Sequence, residues 1–189
     1  MKNAYKNCPI YILPHWDEFK KQVALGLGEI EKEKPVIKPI ALEPKEEAPK
    51  PKIDVYYRSF AAGKWWSEIK NYNTKDSMGY SGVENYPISG LVVKAAKGQI
   101  AYRVHLLNGG WLNWITQYNI NDWWKGCAGL RSQPIDAIQL ELTGAQGYKV
   151  KYRVSTIYGN DYFDWVEGTS DYAGVFGKPI DKIQITIEG

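Results

Sequence analysis

Apolar and polar positions alternate along this chain in blocks that return at a fixed spacing. Tyr172-Ala173-Gly174 is followed by Pro179-Ile180-Asp181-Lys182-Ile183-Gln184-Ile185. Cys127-Ala128-Gly129 precedes Pro134-Ile135-Asp136-Ala137-Ile138-Gln139-Leu140 at the same interval, and Tyr80-Ser81-Gly82 precedes Pro87-Ile88-Ser89-Gly90-Leu91-Val92-Val93. A period of roughly 45 residues marks one supersecondary unit built several times, each unable to bury its apolar face alone. The repeats are 54–96, 97–144 and 145–189.

Each repeat opens on a predicted strand. Side chains alternate along strands, so Tyr57, Tyr102 and Tyr152 share the inner face with Val55, Val104 and Val154, while Arg58, Arg103 and Arg153 point outward. A turn at Gly63, Gly109-Gly110 or Gly159-Asn160 leads to a second predicted strand over 65–69, 111–115 and 162–166, apolar on both faces. A loop rich in Asn, Asp and Tyr follows, shortened in the third repeat to Gly168-Thr169-Ser170-Asp171. The closing strands keep period two, with Leu91, Val93 and Ala95, then Ile138, Leu140 and Leu142, then Ile183, Ile185 and Ile187 toward the core. The expectation is an all-β body whose three equivalent lobes favour a β-trefoil or β-prism over a two-sheet sandwich, which stays open if the repeats exchange strands.

The front of the chain reads differently. Trp16, Phe19, Val23 and Leu27 fall at helical spacing after Pro14, with Gly26 and Gly28 suited to the stop, so residues 1–30 are expected to hold one amphipathic helix that packs on the repeats, associates with another chain or closes a domain whose body is absent. Residues 31–53 alternate Glu and Lys and carry Pro35, Pro39, Pro44, Pro49 and Pro51, the composition of an extended spacer. Spacers of this kind tether a catalytic module to one that finds the target.

Composition sharpens this picture in one respect. Eight Trp and fourteen Tyr among 189 residues exceed what a small core absorbs, and such side chains, apolar with a polar tip, suit recognition surfaces. A net charge of +3 with dispersed basic residues gives no footprint for nucleic acid. No stretch is long and apolar enough to span a bilayer and no export signal opens the chain, so the expectation is synthesis in the cytoplasm and retention there until something releases it. Two cysteines imply no disulfide framework, and Cys127, standing where the other repeats have Tyr80 and Tyr172, reads as a small buried apolar residue.

Sugars present apolar ring faces fringed by hydroxyls, and their sites combine an aromatic plate with Asn, Asp or Arg at its edge. Each repeat holds these ingredients: Arg58, Arg103 and Arg153 on the outer face, Trp66, Trp114 and Trp165 on the second strand, and Tyr118, Trp123 and Trp124 in the long loop. A guanidinium equally suits a carboxylate or phosphate. The competing reading is that these groups only brace the repeats. Asp161, Asp164 and Glu167 have no acidic counterparts in the other repeats, and a glycosidase needs two carboxylates at a defined separation. His105 has no neighbouring nucleophile signature. The chain by itself is expected to catalyse nothing.

Two resemblances rest on these residues. Lys6-Asn7-Cys8-Pro9 with Ile10-Tyr11-Ile12-Leu13-Pro14-His15-Trp16 resembles the end of the phage-lysozyme type of zinc amidase, in the peptidoglycan recognition protein superfamily. The resemblance implies an active-site ancestry for Lys6 and a zinc-ligand ancestry for Cys8, both vestigial here because the two upstream His ligands have no counterpart; one thiolate does not make a zinc site. Zinc then belongs to a parent enzyme and this chain needs no cofactor. The ordered set Tyr-Arg, Gly-x-Trp, Tyr-Ala-Gly and Pro-Ile-Asp-x-Ile over 54–189 is similar to the cell-wall-binding regions of phage and prophage endolysins of Gram-positive, especially clostridial, hosts. That resemblance implies a noncatalytic module targeting an N-acetylmuramoyl-L-alanine amidase to peptidoglycan or teichoic acid, with full-length enzyme or self-association as protein partners. A fragment of such an amidase and a free-standing lectin are the alternatives.

Overall fold

The computed structural model describes residues 16–25, 50–73, 79–159 and 161–189. The chain divides into two units, 1–46 and 47–189. In the first, α1 spans Trp16–Leu25, with Asp17 and Glu18 in the first turn, where carboxylates favour the positive end of the helix dipole. Trp16 stacks on Phe19 at 5.4 Å, and both are exposed along with Val23. Lys6, Cys8 and residues 31–49 of the expected spacer lie outside the described residues.

The second unit is all β. Its strands are β1 Val55–Ala61, β2 Lys64–Trp65, β3 Ile69–Lys70, β4 Ser81–Gly82, β5 Ile88–Ala95, β6 Gln99–Leu106, β7 Ala128–Gly129, β8 Ile135–Thr143, β9 Lys149–Thr156, β10 Val166–Glu167, β11 Ala173–Gly174 and β12 Ile180–Glu188. The first and last long strands of each repeat form an antiparallel hairpin, β1 with β5, β6 with β8 and β9 with β12. Corresponding residues take corresponding partners: Tyr57 faces Val93, Tyr102 faces Leu140 and Tyr152 faces Ile185. Each hairpin also slips by one residue at the same point, leaving Ser89, Asp136 and Asp181 as the extra residue. A bulge re-aims the side chain it carries.

The short Ala-Gly and Ser-Gly strands leave their own repeat. β7 of the second repeat pairs with β5 of the first, β11 of the third with β8 of the second, and β4 of the first with β12 of the third. The pairing runs round in a cycle. Gly82, Gly129 and Gly174 make it possible, with φ of +125°, +128° and +130° and the carbonyl oxygens of Asp181, Ser89 and Asp136 only 2.0, 2.2 and 2.2 Å from where a Cβ would stand. Glycine is required there for both conformation and clearance.

The core is lined as the alternation predicts. Tyr57, Tyr102 and Tyr152 are fully buried with Val55, Val104, Val154 and the apolar residues of the closing strands, Ala95 and Leu142 being only partly covered. Each tyrosine hydroxyl donates to the loop of its own repeat: Tyr57 to Asn71 O (3.1 Å), Tyr102 to Gln117 O (2.6 Å) and Tyr152 to Gly168 O (2.7 Å). Burial pushes all three phenols up, Tyr152 to about 12.

Two expectations change. The predicted second strand is not continuous: β2 and β3 flank a gap in the first repeat, isolated bridges His105–Trp111 and Tyr102–Ile115 replace it in the second, and β10 holds only its end in the third. The middle of the segment bows around the outward arginine, in the first repeat accepting at Trp66 O from Arg58 Nε at 2.6 Å, and a regular ladder leaves no room for that. The spacer also ends earlier than its composition indicates. Ile53 is buried, and Tyr148 OH donates to Pro51 O at 2.8 Å.

Candidate functional site

The outward arginines are built into stacks. Arg103 lies between Trp111 and Trp114, 4.7 Å from each ring, and its Nε and Nη2 donate to Gln139 Oε1 at 3.0 and 2.7 Å. Arg153 lies between Tyr162 and Trp165 at 4.8 and 4.5 Å, with Nε donating to Gln184 Oε1 at 2.9 Å. The glutamine stands directly opposite the arginine in each hairpin. In the first repeat that place is taken by Val92, opposite Arg58. Ring faces attract the cation without neutralising it, and among the described residues neither Arg103 nor Arg153 forms an ion pair with a carboxylate. Each therefore presents a rigid positive plate suited to an oxyanion.

Trp66 stands two positions before the place that Trp114 and Trp165 occupy. Its amide bonds Ser59 O as those of Leu112 and Phe163 bond Val104 O and Val154 O, so Glu68 is the residue that stands where Trp114 and Trp165 do. Trp66 packs against the core, its Nε1 donates to Ala61 O at 3.0 Å, and Lys64 Nζ sits 4.1 Å from its ring. Glu68 accepts from Tyr118 OH at 2.5 Å and pairs with Lys94 at 3.2 Å. The Tyr118 bond, followed by Lys94, holds the Glu68 carboxyl below its usual range, while burial and that carboxylate push the Tyr118 phenol up.

Tyr118 thus comes from the second repeat to cover the first. Tyr72, at the corresponding place in the first repeat, covers the third by packing on Trp165 at 4.9 Å. The third repeat has Thr169 there, and Trp114 of the second stays 37% exposed.

The seams between repeats use other groups. In the first seam Trp123 packs on Phe60 (5.1 Å) and Trp65 (5.4 Å) above Gly90, where a Cβ would meet its ring at 2.9 Å. In the second, His105 stacks on Phe176 at 4.1 Å and its Nδ1–H donates to Asp136 Oδ1 at 2.6 Å, while Gly177 N donates to Asp136 Oδ2 at 2.7 Å. In the third, Ser155 replaces the histidine and Asn85 N donates to Asp181 Oδ2 at 2.9 Å. There Ser155 Oγ, Tyr162 OH and Asp181 Oδ1 are buried without a hydrogen-bond partner among the described residues. Trp123 is a seal, and His105 a clasp partner.

Trp124 is placed quite differently, 90% exposed on a loop tied down by its own polar groups. Asp122 Oδ1 accepts from the Trp124 and Lys125 amides at 2.9 and 3.1 Å, bonds that hold its carboxyl below the usual range. Asn119 N donates to Gly126 O at 2.9 Å, and the core Tyr102 hydroxyl reaches both ends of the loop. A cleft of 490 Å³ opens beside it, lined by Asn113, Trp114, Ile115, Thr116, Gln117, Trp124 and Lys125.

Of the residues singled out by sequence, Arg103 and Trp114 share a stack, Arg153 and Trp165 share another, and Trp114 and Trp124 share the cleft. Arg58, Trp66, Trp123 and Tyr118 are engaged with the protein itself. Gln139, Gln184, Trp111 and Tyr162 were not singled out, although the two glutamines stand at one position of the repeat and only strand register sets them against the arginines. Among the described residues no three His, Cys, Asp or Glu side chains are grouped as metal ligands, and burial pushes the Cys127 thiol up to about 11. No known protein family, curated protein or solved structure matches this chain.

Proposed function

We propose that this chain is a noncatalytic cell-wall-binding module of a phage or prophage endolysin, delivering an N-acetylmuramoyl-L-alanine amidase to peptidoglycan or teichoic acid. The observation that carries the reading is the unpaired guanidinium held between two aromatic rings, at Arg103 and again at Arg153. Flat apolar plates beside fixed positive charge fit a polymer that alternates sugar rings with carboxylates or phosphates. Repetition of a weak site on one body raises avidity toward such a polymer. The cyclic strand exchange and the three corresponding hairpins support a pseudo-threefold, β-trefoil-like arrangement, which spaces the stacks around an axis. The protein is made in the host cytoplasm and meets the wall on release, with zinc chemistry confined to the parent enzyme.

Cosedimentation with purified Gram-positive walls tests the reading, with a panel of unrelated glycans in parallel. The chain is expected to pellet with walls, and the Arg103→Ala, Arg153→Ala double variant to lose about tenfold in affinity with an unchanged far-UV spectrum. A chain that stays in the supernatant, or binds only glycans foreign to bacterial walls, overturns it in favour of a lectin.

A further inference from the structure

The three repeats differ in one respect that bears on ligand binding. The position occupied by Glu68, Trp114 and Trp165 is covered from the next repeat in two of three cases, by Tyr118 over Glu68 and by Tyr72 on Trp165. The covering tyrosine is missing from the third repeat, whose shortened loop has Thr169 at that place, and among the described residues no aromatic ring packs on Trp114. What remains on Trp114 is the Arg103 guanidinium, 4.7 Å from its ring centroid. This ring lines the cleft that Trp124 also lines.

Resting on the wall-binding reading, we propose that the second repeat holds the principal saccharide subsite: one pyranose ring seated between Trp114 and Trp124, with an acidic substituent or neighbouring phosphate toward Lys125. The cleft has the makeup that a sugar needs. Two indoles supply apolar faces, while Asn113, Thr116 and Gln117 supply amide and hydroxyl groups for the equatorial fringe. Its volume of 490 Å³ falls within the range of small-ligand pockets, about 300–1,000 Å³. Its lining includes the Lys125 cation and no carboxylate; the neighbouring Asp122 carboxylate accepts from the Trp124 and Lys125 amides, so Lys125 is the group placed to meet an acidic substituent.

The site is also organised before any ligand arrives. Trp124 is 90% exposed, yet the loop that carries it is fixed by Asp122 on the Trp124 and Lys125 amides and by Asn119 N on Gly126 O. With the backbone fixed, only the two side-chain torsions of Trp124 remain to be ordered on binding. Arg103 acts as a positioning residue, holding the Trp114 ring from one side.

The test uses the full chain on purified walls. Trp124→Ala, a change at an exposed position, and Trp114→Ala are each expected to lower wall affinity by about tenfold or more, whereas Trp165→Ala, whose ring is already covered, changes it by less than about twofold. Trp124→Phe is expected to recover most of the loss. Lys125→Gln is expected to lower affinity several-fold and to flatten its salt dependence. Walls extracted free of teichoic acid identify the source of the ring: lost binding assigns a phosphate-bearing glycan, retained binding a peptidoglycan sugar. If the parent chain pellets with walls but Trp124→Ala pellets equally well, the subsite is wrong while wall binding stands. If the parent chain does not pellet at all, the wall reading itself has failed.

Discussion

The second and third repeats share a backbone plan and diverge in what they leave open. Both stack an arginine between two rings and fix it with the glutamine across the hairpin, both bulge at an aspartate, and both anchor a loop from a core tyrosine. In the third repeat Tyr72 closes the stack and the bulged Asp181 has one oxygen without a partner. In the second the stack is open and both oxygens of Asp136 are engaged, by His105 and by Gly177 N. One repeat has its polar clasp completed and its aromatic face exposed, and the other the reverse. The difference separates what builds the body, repeated in each unit, from how far each stack is left open, which varies from unit to unit.

The strongest way to break the comparison is to attack what the repeats have in common. Gly129→Ala places a methyl 2.2 Å from Ser89 O at a φ of +128°, and is expected to cost about 3 kcal/mol or more, seen as lost or much earlier unfolding in urea. A variant as stable as the parent would mean that the inter-repeat pairing is not holding the fold together.

A smaller effect distinguishes the two clasps. Asp136→Ala removes the partner of the half-buried His105 Nδ1 and of the Gly177 amide at a fully buried position and is expected to cost about 2 kcal/mol. Asp181→Ala removes one amide bond, from Asn85, and also an oxygen that was already unpartnered, so a loss nearer 1 kcal/mol is expected from the same denaturation curves. Equal losses would show that the histidine adds nothing to the second seam.

The last effect is confined to high pH and concerns the three core phenols alike. Their folded-state values lie above the ordinary 10.0, Tyr152 at about 12, so the unfolded chain loses these protons first as pH rises. The folded state then binds more protons than the unfolded one, and stability is fully present below pH 10 and is lost progressively toward pH 12 and beyond. Melting temperatures measured from pH 9 to 12 should fall, and Tyr152→Phe should flatten the fall at a fixed cost of about 1 kcal/mol for the hydroxyl's bonds. A flat profile in the parent would contradict the burial of these hydroxyls.

Much of the body was legible before any coordinates. Alternation placed Tyr57, Tyr102 and Tyr152 inside and the arginines outside because a strand has only two faces. The Ala-Gly landmark was visible as a repeat, but its reason, a carbonyl from the neighbouring repeat approaching within 2.2 Å at Gly129 and Gly174, was not. The second strand was misread as continuous because big aromatic residues on both faces look alike whether they pair in a ladder or bow around a side chain. Trp66 was grouped with Trp114 and Trp165 by residue type alone, although the spans 65–69, 111–115 and 162–166 already set it against Leu112 and Phe163, as their amide bonds do.

By itself the amino-acid order determined the all-β character of the repeats, their threefold correspondence and the residues that fill their core, since these follow from local alternation and from repetition. Only the tertiary structure decided which aromatic rings are spent on the protein and which face outward. Trp123 and Trp124 are neighbours in the chain, yet one seals the gap above Gly90 and the other is 90% exposed. The physical reason is that a ring is covered or left bare by a residue from another repeat, tens of positions away, and no local pattern carries that information.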